Sequence, residues 1–393
     1  MNIGVVGFGK RIREILYTSL KEVYPDFHVT GIVDPDEKGA RERLLSDEDK
    51  EKVVFYDTLD EMVRKAKIDI LCIGTRCDLH TPYAIQAAKY DIPLLLEKPV
   101  AINMEQALEL EKAFENTKCR VVVSFPLRLS TLGNFTKNMV DNGVVGDPMH
   151  VMAWNYVPYG AVYWEQGYRN YDITQGLFIQ KATHDFDYIM YVLGMPILRV
   201  GTMATFQKVF GGKKAAGLVC SKCGEAETCL ESPENRMKNR SGYHTGDHPC
   251  VYSIDCGTVE TGTNEDASSA VFELPSGRHG VYTQVFFTRR DAHARGLTIS
   301  GYMGTLKLEW YESQINLVRH HQPFSEVINT DKGLPHFGGD LDLAREMVKV
   351  VRHSDYTSIA PIETGIASVY VCLAAKESYQ TGKFVNVRQV GQV

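Results

Sequence analysis

A glutamate and a lysine follow directly on an apolar run in the stretch LLLEKPV, at positions 94–100. The three leucines are typical of a buried strand, which ends at Glu97 and Lys98. A lysine held at such a place could bind a substrate hydroxyl and lower the pKa of its proton. Loss of that proton would prepare the carbon that bears the hydroxyl to lose hydride. Pro99 restricts the backbone beside the lysine. The stretch therefore predicts a reactive amine at the end of a buried strand.

A glycine turn near the N-terminus could bind the phosphates of a dinucleotide. The turn GFGKRI follows the apolar strand NIGVV and opens a helix. Gly7 allows the tight turn, Gly9 lets the backbone approach a pyrophosphate, and the helix N-terminus stabilises the phosphate charge. The third position of the pattern, where Gly or Ala is usual, is Ile12. The alternative is a tight turn without a ligand, but the surrounding strand and helix favour a dinucleotide site.

The residue that ends the second predicted strand, at 29–33, is Asp34. A carboxylate there could accept hydrogen bonds from both ribose hydroxyls of NAD, and it would repel the 2′-phosphate of NADP. No Arg or Lys follows closely, since the next residues are Pro35 and Asp36. The sequence therefore favours NAD over NADP, and a solvated turn aspartate is the alternative interpretation.

These residues need a sheet to bring them together. Predicted strands alternate with helices through the first 124 residues, which indicates a parallel sheet covered by helices on both faces. Ligands of such sheets bind beyond the carboxyl ends of the strands. Gly9, Asp34 and Lys98 are therefore expected on one rim.

Composition excludes several classes of protein. The chain has 393 residues, of which 44% are hydrophobic and 23% charged, and its formal net charge is -6. Nucleic-acid and membrane-surface partners would need a basic footprint, and no run approaches the roughly 18 apolar residues of a membrane span. The first residues, MNIGVVGFGK, are typical of a strand rather than a signal peptide, so we expect a cytoplasmic protein.

The stretches LLLEKPVA and TRCDLHTPYAIQAA, together with the G-x-G opening, resemble the Gfo/Idh/MocA family of oxidoreductases. The resemblance implies an α/β fold, with an N-terminal Rossmann domain at 1–124 and a C-terminal α/β domain at 125–393 that has a large, open, mostly antiparallel sheet. It also implies a nicotinamide cofactor, a sugar or cyclitol substrate, and a homodimer or homotetramer. Lys98 takes the place of the family's active-site lysine. The residues assigned to the cofactor are Gly7, Gly9, Lys10, Arg11, Asp34, Thr75, His80, Glu97 and Lys98.

A second family signature lies in QGLFIQKATHDFDYIMYVLG, at 175–194. The family pattern is an acid, three residues, His, and then Asp three residues later; His184 and Asp187 match it. The acid position is Gln180, so the usual acid–histidine proton relay lacks its acid. Lys181 lies beside it, and a spacing of three on a helix makes Lys181 a neighbour of His184. We expect His184 to be a general base and Lys181 a charge beside it, with a structural histidine as the alternative.

Further positions resemble the family's substrate-binding segments. The segment YWEQGYRNY carries rings that could pack on the C–H faces of a sugar or, equally, in the core. A late loop before a helix resembles one that relatives place near the pocket. The candidate substrate residues are Arg128, Trp164, Tyr168, Arg169, Asp187 and His336.

A polar, cysteine-rich insertion is expected at about 211–256, between strands of the second sheet. Its spacing, C-x2-C-x5-C with a later cysteine, includes a pair suited to a tetrahedral thiolate site. A metal would explain how a segment with few apolar residues keeps a shape. Structural zinc and reduced, unliganded thiols both remain open. The candidate ligands are Cys220, Cys223, Cys229 and Cys250.

The sequence therefore predicts an NAD-dependent oxidoreductase that acts on the CH–OH group of a sugar, cyclitol or glycoside. Lys98 would bind the hydroxyl and His184 would take its proton. One alternative is an NAD-dependent glycoside-cleaving enzyme, which oxidises a ring hydroxyl transiently, eliminates the glycosidic group and recovers the cofactor. A nucleotide-sensing protein without catalysis is the other alternative, and turnover would exclude it.

Overall fold

Six short strands form a parallel sheet in the N-terminal part of the chain. The structure is a computed structural model, and it describes residues 1–242, 244–330, 333 and 335–392. The order in the sheet is β3-β2-β1-β4-β5-β6, and every neighbouring pair is parallel. The prediction of a parallel sheet is confirmed. The strands are β1 Asn2–Val6, β2 His28–Val33, β3 Val54–Phe55, β4 Ile70–Ile73, β5 Leu94–Leu96 and β6 Val121–Val123.

The sheet is buried on both faces, as parallel sheets generally are. Every residue of β4, β5 and β6 is buried. The first helical segment covers one face with Ile12, Ile15 and Leu16, each of which is 0% exposed. The sequence reading missed β3, because two residues are too few to show a period.

Among the residues that the structure describes, nine strands form the second sheet, in the order β16-β15-β14-β13-β7-β12-β11-β8-β17. All neighbouring pairs are antiparallel except β7 with β12, so the expected mostly antiparallel sheet is confirmed. Burial alternates along its strands, because one face is packed and the other is exposed. The strands after β6 are β7 Pro148–Tyr156, β8 Arg199–Thr205, β9 Gly257–Thr258, β10 Gly262–Thr263, β11 Ala267–Glu273, β12 His279–Val285, β13 Ala294–Gly301, β14 Gly304–Glu309, β15 Gln314–Arg319, β16 Ser325–Asn329 and β17 Val385–Asn386. Strands β9 and β10 pair separately as a small ribbon.

Helices connect and cover these strands. Two π-helical segments are continuous with them: Ile15–Leu20 follows the first helix, and Phe178–Ala182 precedes the helix that begins at Thr183. The α-helices are α1 Lys10–Glu14, α2 Lys21–Val23, α3 Glu37–Arg43, α4 Asp47–Lys52, α5 Leu59–Lys65, α6 Cys77–Ala88, α7 Met104–Phe114, α8 Pro126–Leu129, α9 Thr131–Asp141, α10 Val162–Glu165, α11 Tyr171–Thr174, α12 Thr183–Leu193, α13 Pro233–Asn239, α14 Gly339–Arg352 and α15 Ile362–Thr381. Within the described residues, none of the helices combines the length and apolar character of a membrane span.

The chain divides into two units whose boundaries differ from the expected 1–124 and 125–393. The first unit contains Met1–Asn134, Gly333–Tyr370 and Gln389–Val393, and the second contains Phe135–Lys332 and Val371–Arg388. Helix α14 lies with the first unit because Leu343 and Met347 are part of the apolar core that contains Ile15. A late helix can join an early domain in this way without any local signal in the sequence.

Candidate functional site

The glycine turn after β1 has the geometry of a ligand cradle. Gly7 has a φ of +79°, and a Cβ there would lie 2.7 Å from the backbone of Thr75, so the fold itself requires glycine. At Gly9 the situation is different, because a Cβ would meet nothing closer than the carbonyl oxygen of Gly74 at 3.9 Å. The chain's own packing leaves this space open, and it exposes backbone to an approaching ligand. This is the fit expected for a pyrophosphate.

The absent third glycine is compensated across the sheet. Ile12 is fully buried at the start of the helix. A Cβ on Gly74, at the end of β4, would lie 2.2 Å from Cγ1 of Ile12. The small residue that close helix–strand packing requires has therefore moved from the helix to the neighbouring strand.

Asp34 lies on the same rim and is tied to the glycine turn. Its Oδ2 accepts the backbone N–H of Phe8 at 2.8 Å, and its Oδ1 accepts that of Asp36 at 2.8 Å. A carboxylate has further lone pairs on both oxygens, so ribose hydroxyls can still bind. The structure also brings Arg43 to 4.0 Å from Oδ2 of Asp34. The sequence reading considered only the residues directly after Asp34 and missed this cation.

Arg11 lies within an ion cluster at the rim. Its guanidinium donates to Glu97 at 3.2 Å and to both carboxylate oxygens of Asp340, at 2.7 and 3.0 Å. Ser124 accepts from it at 3.4 Å, and Nδ1 of His336 lies 2.8 Å from Asp340. The predicted cofactor residue Arg11 and the predicted substrate residue His336 therefore share one carboxylate. Asp340 was not among the candidate site residues predicted from the sequence.

The charges of this cluster shift the pKa values of Asp340 and Arg11. Burial alone would raise the pKa of Asp340, but hydrogen bonds and charge from His336 and Arg11 hold it well below its usual range. Burial likewise disfavours the charged guanidinium of Arg11, and the carboxylates of Glu97 and Asp340 raise its pKa nonetheless. Asp340 and Arg11 therefore both stay charged at neutral pH. Their cluster fixes Glu97, the residue directly before Lys98.

Several contacts hold the backbone around Lys98. Glu97 continues the ladder of β5 through its N–H to Ile73 at 3.0 Å. The Lys98–Pro99 peptide bond is cis. The buried ring of His80 has Nδ1 2.8 Å from the carbonyl of Pro99 and Nε2 3.2 Å from that of Thr75. Burial is the main cause that lowers the pKa of His80. The ring links two strand ends behind a partly exposed Lys98.

Two further predicted cofactor residues, Lys10 and Thr75, make contacts within the protein. Lys10 is 85% exposed and pairs with Glu14 at 3.7 Å, as a solvated helical lysine does. Thr75 lies against the glycine turn, and its hydroxyl donates to the carbonyl of Arg76 at 3.2 Å. Cofactor contacts by Lys10, Arg11, Thr75 and His80 remain predictions.

In the second unit, His184 lies in the first turn of α12 and is partly exposed. The π-helical segment before it carries Gln180 and Lys181, both of which are 6% exposed. Lys181 donates from Nζ to the hydroxyl of Tyr159 at 2.7 Å. Lys181 was predicted as a charge near His184, but its phenol partner was not foreseen.

Asp185, the residue after His184, is the centre of a buried hydrogen-bond network that was not predicted from the sequence. Oδ1 of Asp185 accepts from Arg295 at 2.6 and 2.9 Å. Oδ2 accepts from Asn155 and from the hydroxyl of Tyr282, each at 2.8 Å. Burial opposes the charge on Arg295, but Asp185 raises its pKa above the ordinary value. The network fixes the first turn of α12, on which His184 lies.

The candidate substrate residues fall into different environments. Trp164 is 1% exposed and packs on Phe210 with ring centroids 4.5 Å apart, so the packing alternative describes it. Asp187 is fully buried, and Arg128 is buried with its Nη1 donating to the carbonyl of Ile359 at 2.9 Å. The remaining two lie nearer the surface. Tyr168 is 37% exposed, and Arg169 pairs with Asp255 at 3.3 Å.

The cysteine-rich insertion is held by ion pairs and a shared core. Arg236 has a side chain 1% exposed and bonds to Glu165 at 2.7 Å and to Glu231 at 2.6 Å. Val251 and Cys256 of the insertion join the apolar cluster of Trp164. The insertion therefore shares the apolar core of its unit. Burial and neighbouring thiols raise the pKa of Cys220 to about 11.

Within the part of the chain that the structure describes, all nine cysteines are free, and no group of three or more His, Cys, Asp or Glu side chains could hold a metal ion. The structure therefore gives no support to zinc at Cys220, Cys223, Cys229 and Cys250.

Two family models match the chain. Residues 1–125 match the oxidoreductase family with an NAD-binding Rossmann fold, and residues 135–307 match the GFO/IDH/MocA C-terminal domain. The chain belongs to the Gfo/Idh/MocA family. The resemblance inferred from its motifs is confirmed, and so is the NAD-binding character of its first domain.

Two curated relatives share about a quarter of the aligned residues with this Gfo/Idh/MocA protein. The protein YteT of Bacillus subtilis, named as an oxidoreductase, is 27% identical over 198 residues, which are 49% of this chain and 46% of YteT. The myo-inositol 2-dehydrogenase of Thermotoga maritima is 26% identical over 208 residues, 51% of this chain and 57% of that protein. The chain thus spans about half the length of the curated relatives it matches. A levoglucosan dehydrogenase solved with NADH and levoglucosan shares the fold, with a TM-score of 0.76 at 14% identity, covering 99% of this chain and 100% of that one.

Proposed function

We propose that the protein is an NAD-dependent oxidoreductase that transfers hydride between the nicotinamide and the CH–OH carbon of a sugar, cyclitol or glycoside. The observation that carries the proposal is the amine of Lys98 at the carboxyl end of β5, on the rim that also presents the open backbone of Gly9 and the carboxylate of Asp34. The names of its relatives support a substrate of this class.

In this proposal, separate residues bind the cofactor and move the substrate proton. Gly7 and Gly9 would hold the pyrophosphate, and Asp34 the adenosine ribose. When bound, the cofactor accepts or returns the hydride. Lys98 binds the substrate hydroxyl and lowers its pKa, and His184 takes the proton as general base.

Turnover with a panel of sugars, cyclitols and glycosides tests the proposal. Reduced nicotinamide should accumulate with the true substrate and NAD, and product analysis should find a ketone or lactone. No turnover on any member of the panel would contradict the proposal. Glycoside cleavage without net NADH would favour the redox-neutral alternative, for which the loss of the acid at Gln180 is the motivating observation.

Asp34 should set the preference for NAD over NADP. Replacing Asp34 by alanine removes the charge that repels the 2′-phosphate of NADP. It also frees Arg43, which lies 4.0 Å from the Asp34 carboxylate in the wild type, to bind that phosphate. We expect the ratio of NADP to NAD affinity to rise tenfold or more, on the order of 1.4 kcal/mol. Dissociation constants of both cofactors, measured by titration, check this.

Asp36→Ala is the matched control for Asp34→Ala. Asp36 also pairs with Arg43, at 3.4 Å, but its side chain is 62% exposed. The variant frees the same arginine and keeps the carboxylate of Asp34, so the preference for NAD should persist. A wild type that binds NADP more tightly than NAD would show that the assignment is wrong.

Zinc in the insertion is a finer question that elemental analysis decides. About one zinc per chain in protein prepared without chelator would assign a four-ligand cage. Zinc-free protein with reactive thiols at Cys220, Cys223, Cys229 and Cys250 would leave a reduced loop. The ion pairs of Arg236 with Glu165 and Glu231 are contacts of the insertion that need no metal.

We also propose that the chain forms a homo-oligomer through the outer face of its nine-stranded sheet. That face carries exposed apolar side chains, including Met203 at 82%, Phe384 at 59% and Val271 at 45% exposure. Apolar surface of this kind is typical of an interface between proteins. Light scattering of the protein in solution tests it, and a monomer at micromolar concentration would contradict it.

A further inference from the structure

Lys181 is a buried lysine whose hydrogen-bond partner is a phenol. The residue is 6% exposed, and its Nζ donates to Tyr159 Oη at 2.7 Å. Among the described residues, no carboxylate lies within ion-pair distance of that ammonium. Asp185, four residues further on, is engaged by Arg295. Buried ammonium groups are normally paired with acids, so this arrangement needs an explanation.

The charges around Tyr159 favour its phenolate. Burial alone raises its pKa, but the cations of Lys181 and Arg295 outweigh burial and lower the pKa of Tyr159 below its ordinary value. Asp185 acts in the opposite direction. Tyr163 is a further titratable neighbour, and its own pKa is raised well above the ordinary value, mainly by burial. Tyr159 is partly exposed, whereas Lys181 beneath it is buried.

Lys181 and His184 lie on one continuous helical segment. The π-helical turn Phe178–Ala182 runs directly into α12, and residues three apart in such a segment are neighbours. Local π-helical turns are frequent at functional sites. The family pattern has an acid where this chain has Gln180. The chain therefore lacks a carboxylate there and has a phenol held by an ammonium nearby.

We propose that Tyr159 replaces the missing acid as the proton-relay partner of His184, and that Lys181 positions its hydroxyl for that role. The inference rests on the proposed function. In the oxidative direction, the substrate O–H and C–H bonds break, the hydride leaves to NAD⁺, and His184 takes the proton and passes it to the phenolate. The products are a carbonyl, NADH and a neutral phenol. In reduction the phenol returns the proton by the same route.

The pH dependence of turnover distinguishes this relay from a structural hydrogen bond. The phenolate fraction rises with pH, so the rate of oxidation should rise through the pKa of Tyr159. Tyr159→Phe should lower kcat by roughly 10²-fold and abolish that rise. Lys181→Met should move the rise to higher pH, because it removes the cation that favours the phenolate. Tyr163→Phe, a neighbouring buried tyrosine, should leave the profile in place.

A titration of the ligand-free protein gives a readout besides activity. Phenolate absorbance in the ultraviolet should show a tyrosine that titrates below the others in wild type. That step should be absent from Tyr159→Phe and shifted upward in Lys181→Met, with circular dichroism showing that both variants are folded.

Two results would overturn the inference. One is an active wild type whose Tyr159→Phe variant has the same kcat and the same pH profile. The other is a titration in which Tyr159→Phe loses no early step. If instead wild type turns over no sugar, cyclitol or glycoside, the proposed function fails and the relay fails with it, while the titration still decides whether Lys181 acidifies Tyr159.

Discussion

Replacing Lys98 by methionine should lower kcat by roughly 10²–10⁴-fold, the usual contribution of a positioned proton-transfer group. Methionine keeps the length and the apolar stem of the side chain and removes the amine. The affinity for NAD should be nearly unchanged, because the variant keeps the proposed NAD contacts of Gly7, Gly9 and Asp34. Steady-state kinetics on the true substrate and a separate NAD titration measure the two quantities.

Lys112→Met provides the control for Lys98→Met. Lys112 is an exposed lysine on α7 of the same unit, so its loss should change neither turnover nor cofactor affinity. His184→Ala should resemble Lys98→Met. The double variant should be much less than additive if the two residues act as one unit. Near-wild-type turnover in either single variant would remove that residue from the mechanism.

Replacing Arg295 by methionine should cost about 3–5 kcal/mol of unfolding free energy, the usual effect of breaking a buried ion pair. Arg295 is 6% exposed, and its guanidinium makes two bonds to the fully buried Asp185. Removing the cation leaves a carboxylate in the core whose other side-chain donors, among the described residues, are Asn155 and Tyr282. Denaturant unfolding followed by circular dichroism measures the loss.

Arg319→Met is the matched control, because Arg319 pairs with Glu326 at 3.1 Å on the same sheet with side chains 35% and 48% exposed. An exposed pair of this kind contributes about 0–1 kcal/mol. Equal losses in the two variants would show that burial does not set the strength of the Asp185–Arg295 pair. A chain with both Asp185→Leu and Arg295→Met should recover part of the stability, since it removes the unpaired charge.

Much of the site could be predicted because its signals are local. The turn of Gly7 and Gly9, the acid Asp34 at a strand end and Lys98 after an apolar run each depend on a few neighbouring residues. Their meeting on one rim follows from a general rule for parallel sheets. The family pattern added His184 and Asp187, and Lys181 was singled out because it lies beside Gln180 at the position of the missing acid.

The residues that sequence reasoning missed are partners over long separations. Arg43 approaches Asp34 from the far end of the next helix, and Asp340 meets Arg11 from 329 residues away in sequence. Tyr159 is reached by Lys181 from another element. Trp164 was weighed equally between a sugar pocket and the core, and only packing against Phe210 decided for the core.

The sequence by itself determined the family, the two kinds of sheet and the residues at the strand ends, because hydrophobic period, turn glycines and strand-end acids act within a few residues of one another. Tertiary structure alone decided which charges are paired. Asp185 pairs with Arg295, 110 residues away in sequence. Lys181 instead donates a hydrogen bond to the phenol of Tyr159. Side-chain pairing depends on distance and burial, which only the folded chain defines, and these pairings lower the pKa of Tyr159 and raise that of Arg295.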